Sequence, residues 1–408
     1  MSLINVIGQG YIGLPTALMF AKSGIKVVGT DYNEKLINSL RKGELTFEEV
    51  GLDQLFKEAL SNEIEFSTEY QKTDVYIVSV PTPYIKESKK LDPKYVVSAV
   101  NSVLDICKKG ATLIIESTIS PGSIDRYVRP EIEKRGVVIG QDVHLVHAPE
   151  RIIPGNMIYE LEHNSRTVGA DSPEIGEKVK ELYSSFCKAE IVVTDIRSAE
   201  MSKVVENTYR DINIAFANEL SKICRADNMD VYEIIKIANK HPRVNILQPG
   251  PGVGGHCISV DPWFLVGDYP DLTNLILTAR KINDSMPTHV LKRIRDIMRE
   301  HNIKDISKVG LYGLTYKENV DDVRESPTLQ LIEKMDEHLA FGVKVYDPFV
   351  KERIVEHQFM NFEDFMNEIE ILVIMVGHDH IKNNMGNIEG KFVLDTRNIC
   401  PFNSAYKL

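Results

Sequence analysis

The stretch Ile4-Asn-Val-Ile7-Gly8-Gln-Gly10-Tyr-Ile-Gly13 decides the fold at the start of the chain. The short apolar run predicts a strand, the G-x-G-x-x-G loop predicts a turn, and residues 14–23 after them predict a helix. Lys26-Val-Val-Gly-Thr-Asp31 then predicts a second strand that ends in an acid 18 residues after Gly13. A lone glycine fingerprint is a weak signal, but this order within about 30 residues is typical of a dinucleotide-binding βαβ unit.

Each glycine of the fingerprint has its own physical role. Gly8 permits the tight turn, Gly10 lets a pyrophosphate approach the backbone, and Gly13 lets the helix pack against the strand. The helix N-terminus attracts the pyrophosphate through its N–H groups and its dipole. Asp31 would bond the ribose 2′-hydroxyl and repel a 2′-phosphate, so NAD is favoured over NADP. A purely structural glycine turn in an α/β domain remains the alternative at this point.

Composition excludes several classes of protein. A chain of 408 residues predicts two or three domains, and 43% hydrophobic with 26% charged residues is ordinary for a globular protein. The formal charge of −11 argues against nucleic acid as the main partner. No apolar run approaches the roughly 20 residues that span a bilayer, and no signal peptide precedes the first strand, so we expect a cytoplasmic protein without a membrane partner.

Cysteine and histidine spacing does not predict a metal site. The five cysteines are scattered without a C-x-x-C pair, so neither a disulfide framework nor a zinc-finger spacing is indicated. His378-Asp-His380 lacks a third ligand and is more typical of a surface loop.

The first half of the chain predicts an α/β fold with a doubly wound parallel sheet. Further strands are predicted at 75–80, 112–116, 144–147 and 191–194, and helices at 94–107, 123–135 and 173–186. Ligands in such sheets lie beyond the carboxyl ends of the strands. Thr82, Thr118, Glu150 and Arg151 follow predicted strands and are therefore candidates for the ligand side. We assign residues 1–195 to this NAD-binding domain.

The middle of the chain predicts helices only. Residues 196–228 contain neither proline nor glycine and predict one helix of about 50 Å. Lys203, Asn207 and Arg210 fall at i, i+4 and i+7 and share one face of it, although such a stripe is often only a solvated face. Helices at 231–240 and 273–298 complete a small helical domain over 196–300, whose long helix suits a dimer interface.

The last third predicts a second, smaller α/β domain over 301–408. Strands are predicted at 308–315, 344–346, 370–376 and 392–395, with a helix at 327–339. Two Rossmann-like domains joined by a long central helix thus predict two nucleotide sites. Lys317, Arg324 and Arg397 follow strands of the second domain and suit a polyanionic ligand such as a nucleotide diphosphate.

A glycine-rich loop, Gly250-Pro-Gly-Val-Gly-Gly-His-Cys257, ends in a cysteine. Glycines let backbone N–H groups and a ligand come close together, so this thiol is presented as a candidate nucleophile. The alternative is a small core hydrophobe, the usual role of a single cysteine. Adjacent side chains in a loop rarely point together, so we favour a structural or substrate-facing role for His256 over a Cys–His dyad.

Together these motifs resemble the UDP-glucose/GDP-mannose 6-dehydrogenase family over essentially the whole chain. The matching stretches are Gly8-Gln-Gly-Tyr-Ile-Gly13, Glu116-Ser-Thr118, Ala148-Pro-Glu150-Arg, Ala199-Glu-Met-Ser-Lys203-x-x-x-Asn207, Gly254-Gly-His-Cys257-x-x-x-Asp261 and Tyr316-Lys317 to Arg324-Glu-Ser. In detail, Gly-Gly-His-Cys and Val-Asp-Pro-Trp are similar to the members acting on UDP-N-acetyl-D-mannosamine, where members acting on glucose have Gly-Gly-Ser-Cys and Lys-Asp. Arg-Ile-Ile-Pro154 also stands where a second glutamate is usual in the glucose enzymes.

The resemblance implies a four-electron oxidation of the sugar C6 alcohol to a carboxylate, here UDP-N-acetyl-D-mannosaminuronate, with two NAD consumed. Cys257 would add to the intermediate aldehyde, giving a thiohemiacetal and then a thioester that water hydrolyses. Lys203 and Asn207 would stabilise oxyanions at C6, with Lys203 also lowering the thiol pKa and transferring protons. Glu150, Thr118 and Asp261 match positions that hold or activate water.

Binding contacts are implied by motif position. The NAD contacts would be Gly8, Gly10, Tyr11, Ile12, Gly13, Asp31, Lys35, Thr82, Thr118 and Arg324. The substrate contacts would be Arg151, Ile152, Lys203, Asn207, Arg210, His241, Arg243, Gly254, Lys317 and Arg397. The family also implies a homodimer built on the 196–228 helix, in which the loop with Arg243 reaches the partner's site.

Three other functions stay open at this stage. The same chemistry on UDP-N-acetylglucosamine or another UDP-hexose differs only in the sugar. A two-electron dehydrogenase of the β-hydroxyacid type shares a Lys-x-x-x-Asn helix but needs neither Cys257 nor a third domain. A non-catalytic NAD-responsive scaffold is disfavoured by the intact set of Lys203, Asn207, Cys257 and Asp261.

Overall fold

The computed structural model describes residues 3–62, 64–255, 257–338 and 340–408. Contacts divide the chain into two compact units, one of Met1–Glu206 with Trp263–Tyr269 and the other of Asn207–Pro262 with Pro270–Leu408. Each unit is built around its own sheet. The three-part division at 195 and 300 stays a prediction.

An eight-stranded sheet forms the centre of the first unit, in the order β3-β2-β1-β4-β5-β6-β7-β8. Its strands are β1 (Ile4–Ile7), β2 (Val27–Thr30), β3 (Ile64–Ser67), β4 (Val75–Val78), β5 (Ala111–Ile115), β6 (Val143–His147), β7 (Arg166–Ala170) and β8 (Ile191–Thr194). The first six are parallel, whereas β7 runs antiparallel to β6 and parallel to β8. Sequence patterns did not predict β3 or β7.

Helices cover both faces of this sheet, which is why its inner strands are continuous apolar runs. They are α1 (Gly13–Lys22), α2 (Glu34–Arg41), α3 (Leu52–Leu60), α4 (Lys94–Ile106), α5 (Arg129–Lys134), α6 (Met157–His163) and α7 (Pro173–Tyr183). A π-helical turn, Ile124–Val128, precedes α5. The predicted segment 123–135 is therefore helical but not a regular α-helix.

One 31-residue helix, α8 (Ile196–Ala226), confirms the long helix predicted from the absence of proline and glycine. It is followed by α9 (Val231–Ala238), α10 (Asp261–Asp268), α11 (Asn274–Asp284) and α12 (Met286–Glu300). The single helix predicted over 273–298 is wrong, because a new helix begins at Met286, directly after Ser285, with Pro287 in its first turn. No helix in the described ranges is long and apolar enough to cross a membrane.

The second unit contains a six-stranded parallel sheet in the order β11-β10-β9-β12-β13-β14. Its strands are β9 (Val309–Tyr312), β10 (Lys344–Tyr346), β11 (Gln358–Phe359), β12 (Ile371–Ile374), β13 (Phe392–Asp395) and β14 (Tyr406–Lys407). The helices beside it are α13 (Pro327–Glu337), α14 (Phe362–Glu368) and α15 (Asp379–Asn383), with 3₁₀ turns at Ile306–Lys308 and Met385–Ile388. Both sheets contain the strand order 3-2-1-4-5-6 of dinucleotide-binding folds, which confirms the predicted fold class.

Candidate active site

The fingerprint loop has the geometry that a bound pyrophosphate requires. Gly8 has φ +91°, and a Cβ there would lie 2.4 Å from the Ser79 carbonyl oxygen. A Cβ on Gly13 would lie 1.8 Å from the Gly8 oxygen, so neither position admits a side chain. Gly10 instead faces open space, with no atom within 4 Å of its Cβ position. The loop therefore leaves room for a ligand at the glycine that the sequence assigned to it.

Asp31 follows β2 and fits a ribose hydroxyl. One carboxylate oxygen accepts the Gln9 N–H at 2.8 Å and the other accepts the Asn33 N–H at 2.9 Å. Each oxygen keeps a lone pair for a further donor, and the negative charge disfavours a 2′-phosphate. The residues present thus fit NAD.

The remaining predicted NAD contacts of the first unit surround this loop or lie on strand ends. Tyr11 and Ile12 are half-buried and pack against the hydrophobic core, Tyr11 stacking on Phe47. Lys35 is exposed in the first turn of α2. Thr82 and Thr118 are half-buried after β4 and β5.

A buried cluster of charged side chains, which sequence reasoning missed, joins three strand ends. Glu116, only 1% exposed, follows β5 and accepts hydrogen bonds from Ser79 Oγ at 2.5 Å and Tyr183 Oη at 3.1 Å. Arg166, the first residue of β7, lies 3.6 Å from Glu116 and forms a second ion pair with Glu150. Two carboxylates thus share one guanidinium away from water.

The surroundings of Glu116 raise its pKa, mainly because the carboxyl group is buried. Burial raises the pKa of Glu116 to about 7, assisted by the charge of Glu150 and opposed by that of Arg166. A carboxyl group that cannot be solvated holds its proton well above its ordinary range. Glu116 is therefore protonated at mildly acid pH and loses its proton near pH 7.

Replacing this carboxyl group with an amide, Glu116→Gln, is expected to change how stability depends on pH. Between the usual pKa of 4.5 and the folded value of about 7, the folded protein keeps a proton that the unfolded chain has released. Wild-type stability should therefore fall relative to the variant as pH rises through this window, by about 1 to 3 kcal/mol. Urea unfolding of both proteins at pH 5 and pH 7.5 measures the difference, and parallel pH dependences would show that Glu116 titrates normally.

Glu150 is anchored where the predicted substrate contacts begin. Besides its ion pair with Arg166, it accepts the backbone N–H of Arg151 at 2.6 Å and of Ile152 at 3.2 Å. The Arg151 guanidinium is held by Ser165 and Thr167 and by an ion pair with Glu206 at 2.7 Å. The Ile152 side chain is buried in the core and is therefore not presented to a ligand.

The predicted polar face of α8 is mostly buried rather than solvated. Lys203 is 5% exposed, Asn207 is 4% exposed and Arg210 is half-buried. Asn207 Nδ2 donates to Asp261 Oδ2 at 2.6 Å, which joins two predicted catalytic residues 54 positions apart. A buried amide and carboxylate paired this closely fix each other's orientation.

The cysteine loop is held at both ends. The Cys257 carbonyl accepts the N–H of Val260 at 3.0 Å and of Asp261 at 2.8 Å, so a turn that begins at the cysteine leads into α10. On the other side, the Gly255 N–H donates to the Arg324 carbonyl at 3.0 Å. The Cys257 thiol is half-buried, and His256 lies outside the described residues.

Glycines in the loop allow it to pack against the segment that follows β9. A Cβ on Gly254 would lie 2.6 Å from the Glu325 carbonyl oxygen, and one on Gly255 would lie 2.8 Å from the Tyr316 ring. Two motifs about 60 residues apart in the sequence are thereby brought together. The half-buried Lys317 belongs to the same segment.

The other predicted substrate and NAD contacts of the second unit are placed separately. Arg397 follows β13, donates to the Met375 carbonyl at 2.8 Å, and lies 3.1 Å from the Cβ position of Gly250. Arg324 is exposed and forms an ion pair with Asp322 at 2.6 Å.

His241 and Arg243 are exposed in the loop after α9.

A buried polar network supports α8 and was not predicted. Arg280 forms an ion pair with Asp211 at 2.6 Å, and Asn283 bonds both Asp211 and Asn218. Asn218 Oδ1 in turn accepts the Gly250 N–H at 2.8 Å. This network fixes the start of the glycine-rich loop to the helix that carries Asn207.

The histidine pair of the last domain is not a surface loop. His378 is completely buried and bonded to Asp347, while His380 bonds the Tyr312 hydroxyl at 3.0 Å. Among the described residues, no three His, Cys, Asp or Glu side chains are grouped to hold a metal ion.

Comparisons with known proteins agree over the full length of the chain. Models of the UDP-glucose/GDP-mannose dehydrogenase family match its NAD binding domain to residues 2–187, its central domain to 197–285 and its UDP binding domain to 310–401. UDP-N-acetyl-D-mannosamine dehydrogenase of Methanocaldococcus jannaschii is 42% identical, covering 97% of this chain and 92% of that protein. NDP-N-acetyl-D-galactosaminuronic acid dehydrogenase of Ralstonia nicotianae is 37% identical over 97% and 95% of the two chains. The structure of a UDP-N-acetyl-mannosamine dehydrogenase from Staphylococcus aureus superimposes with a TM-score of 0.89 at 42% identity, covering 100% and 98%.

Proposed function

The chain belongs to the UDP-glucose/GDP-mannose dehydrogenase family, and from that premise we propose that it oxidises UDP-N-acetyl-D-mannosamine at C6 to the uronate. NAD-dependent oxidation of a UDP-sugar is supported by the matches to the family's NAD binding and UDP binding domains and by the relatives named for UDP-N-acetyl-D-mannosamine. The substrate sugar, the number of NAD consumed and the covalent step through Cys257 are our inferences.

The observation that carries the proposal is the arrangement of Asn207, Asp261 and Cys257. The Cys257 carbonyl accepts the Asp261 N–H, and the Asp261 carboxylate accepts the Asn207 amide. A thiol, a carboxylate and an amide donor are thus tied together within one unit. A two-electron dehydrogenase needs no such thiol, whereas a four-electron oxidation needs a nucleophile between its two steps.

NAD⁺, when bound, accepts a hydride from the sugar C6 in each of the two oxidations. In our mechanism Lys203 removes the hydroxyl proton in the first oxidation, which leaves an aldehyde at C6. Asn207, fixed by Asp261, donates its remaining N–H to the oxygen at C6 and stabilises negative charge there.

The Cys257 thiolate then forms a C–S bond to the aldehyde carbon, and the alkoxide that results takes the proton held by Lys203, giving a thiohemiacetal. Loss of the second hydride and of the hydroxyl proton converts this adduct into a thioester. A water molecule, deprotonated by the Asp261 carboxylate or by Glu150, adds to the thioester carbon. The C–S bond breaks, the carboxylate product leaves and the Cys257 thiolate is restored.

Two features support N-acetylmannosamine as the sugar. The relatives named for UDP-N-acetyl-D-mannosamine reach 42% identity over nearly the whole chain, and the Gly-Gly-His-Cys and Val-Asp-Pro-Trp stretches resemble that branch. The relative named for a galactosaminuronic acid substrate, at 37% identity, makes another N-acetylated sugar the second candidate. Both choices share the acetamido group at C2.

A panel of UDP-sugars tests the substrate. We expect kcat/KM for UDP-N-acetylmannosamine to exceed that for the N-acetylglucosamine, N-acetylgalactosamine and glucose compounds by at least about tenfold, the effect of one well-placed polar contact. NADH absorbance gives the rates, and a higher kcat/KM for any other sugar would refute this assignment without touching the C6 chemistry.

We also propose a homodimer through α8. Its side chains Met201, Val205, Tyr209, Phe216 and Ile223 lie at spacings of four and seven residues and are 36–63% exposed. An apolar stripe of this kind on one side of a helix is typical of a covered interface. The exposed Arg243 loop would then reach the site of the second copy, and sedimentation should give the mass of two chains.

A further inference from the structure

The turn after the first strand of the dinucleotide-binding sheet has the same geometry in the second unit as in the first. In the first unit, the Gly8 N–H donates to the Thr30 carbonyl at 2.7 Å, and Gly8 has φ +91°. In the second, the Gly313 N–H donates to the Tyr346 carbonyl at 2.8 Å, and Gly313 has φ +99°. Strand order and register are also the same, so β9 and β10 correspond to β1 and β2.

The acid that follows the second strand is repeated as well. Asp31 accepts the Gln9 N–H at 2.8 Å, and Asp347 accepts the Leu314 N–H at 2.6 Å. In the first unit this acid is the predicted ribose ligand, which would select NAD. Asp347 stands at the corresponding position of the second sheet.

The Asp347 carboxylate, however, is not accessible to a ribose. Its side chain is fully buried, and the same oxygen that accepts Leu314 also accepts the Thr315 N–H and lies 3.2 Å from His378 Nε2. His378 follows β12, on the other side of the switch point in the sheet, and is itself completely buried. Burial alone would raise the pKa of Asp347, but the hydrogen bond from His378 and the backbone N–H groups lower it.

His378 also holds the far end of the loop. Its Nδ1 accepts the Asn319 N–H at 2.9 Å, so Nε2 carries the proton and donates to Asp347. The two side chains thus bond the backbone at residues 314, 315 and 319. Lys317, the predicted nucleotide contact, lies between these anchors.

The held segment continues to the cysteine loop. The Tyr316 ring of this segment, together with the Arg324 and Glu325 carbonyls that follow it, forms the surface against which Gly254 and Gly255 pack. A displacement of this segment therefore changes both the nucleotide contact and the loop that ends at Cys257.

We propose that Asp347 and His378 are positioning residues. In a sheet with the topology of a dinucleotide-binding domain, they hold the backbone of residues 314–319 in place instead of binding a dinucleotide, and so set the affinity of this unit for UDP. Because Asp347 is buried and bonded to His378, it cannot bind a ribose as Asp31 is predicted to do in the first unit. The nucleotide is instead held through Lys317. This inference rests on the proposed function for the identity of the ligand.

Three variants test it. His378→Leu removes both hydrogen bonds, and His378→Gln restores a donor toward Asp347. His380→Leu is the matched control, because His380 bonds the Tyr312 hydroxyl and none of the three anchored backbone groups. UDP affinity is measured by calorimetry without NAD, and KM for the UDP-sugar, KM for NAD and kcat are measured separately.

We expect His378→Leu to weaken UDP binding and raise the sugar KM by at least about tenfold, as the loss of two buried hydrogen bonds implies. KM for NAD should not change, and His378→Gln should recover most of the UDP affinity. UDP affinity within twofold of wild type, or an equal loss of NAD and UDP binding, would overturn the proposal. If His378→Leu fails to fold, amide exchange in His378→Gln decides instead. Exchange at 319, whose acceptor on His378 is lost, should be faster than in the control, while exchange at 314 and 315, which still bond Asp347, should match it. Unchanged exchange at 319 refutes the proposal. Since UDP binding is measured without turnover, failure of the proposed oxidation would be seen independently in the wild-type enzyme.

Discussion

Cys257→Ala is expected to abolish formation of the carboxylate while leaving nucleotide binding intact. Without the thiol, an aldehyde at C6 has no covalent partner from which a second hydride can depart, so the reaction stops after the first oxidation. Removal of an essential nucleophile lowers turnover by on the order of 10³-fold or more. Mass spectrometry of the sugar products measures the loss directly, and UDP and NAD affinities should stay within about twofold.

The matched control for this variant is Cys107→Ala. Cys107 is also half-buried, follows α4 in the first unit and is not among the predicted catalytic residues. The Cys107→Ala variant should oxidise the sugar at the wild-type rate. Carboxylate produced by Cys257→Ala at a normal rate would refute the covalent mechanism and leave a direct oxidation of the hydrated aldehyde.

Asp261→Asn is expected to trap the covalent intermediate. The amide keeps the size of Asp261 and can still bond Asn207, so the fold should be retained. It cannot take a proton from water, and hydrolysis of the thioester should slow by about 10² to 10⁴-fold. The enzyme should then carry the sugar as an adduct, seen as an added mass on the peptide that contains Cys257.

A comparison with Asp268→Asn separates this effect from damage to α10. Asp268 ends the same helix and bonds Ser120 and Arg126 instead of Asn207. Asp268→Asn should hydrolyse the intermediate normally. If Asp261→Asn turns over at the wild-type rate without an adduct, the base is another group, and Glu150 becomes the first candidate.

Local patterns predicted the parts of the fold that depend on neighbours in the sequence. The βαβ unit with Gly8, Gly13 and Asp31 and the long helix α8 were legible because turn chemistry, periodicity and the absence of breakers are local signals. Strand β7 was missed because it begins with a charged residue, Arg166, which composition assigns to the surface.

Contacts between distant segments were not predictable. The partners of Arg166 come from the ends of β5 and β6, and nothing near Glu116 or Glu150 in the sequence shows that a guanidinium lies between them. His378 was predicted on the surface for the same reason, since its partners follow β9 and β10. The candidate residues were found by motif, whereas the bonds that orient them required the structure.

The stoichiometry of NADH per sugar tests the central claim most directly. A limiting, weighed amount of UDP-N-acetylmannosamine is oxidised to completion with excess NAD, and NADH absorbance and uronate are both quantified. The account predicts two NADH and one carboxylate for each sugar consumed. One NADH per sugar, with an aldehyde or ketone as the product, would contradict it.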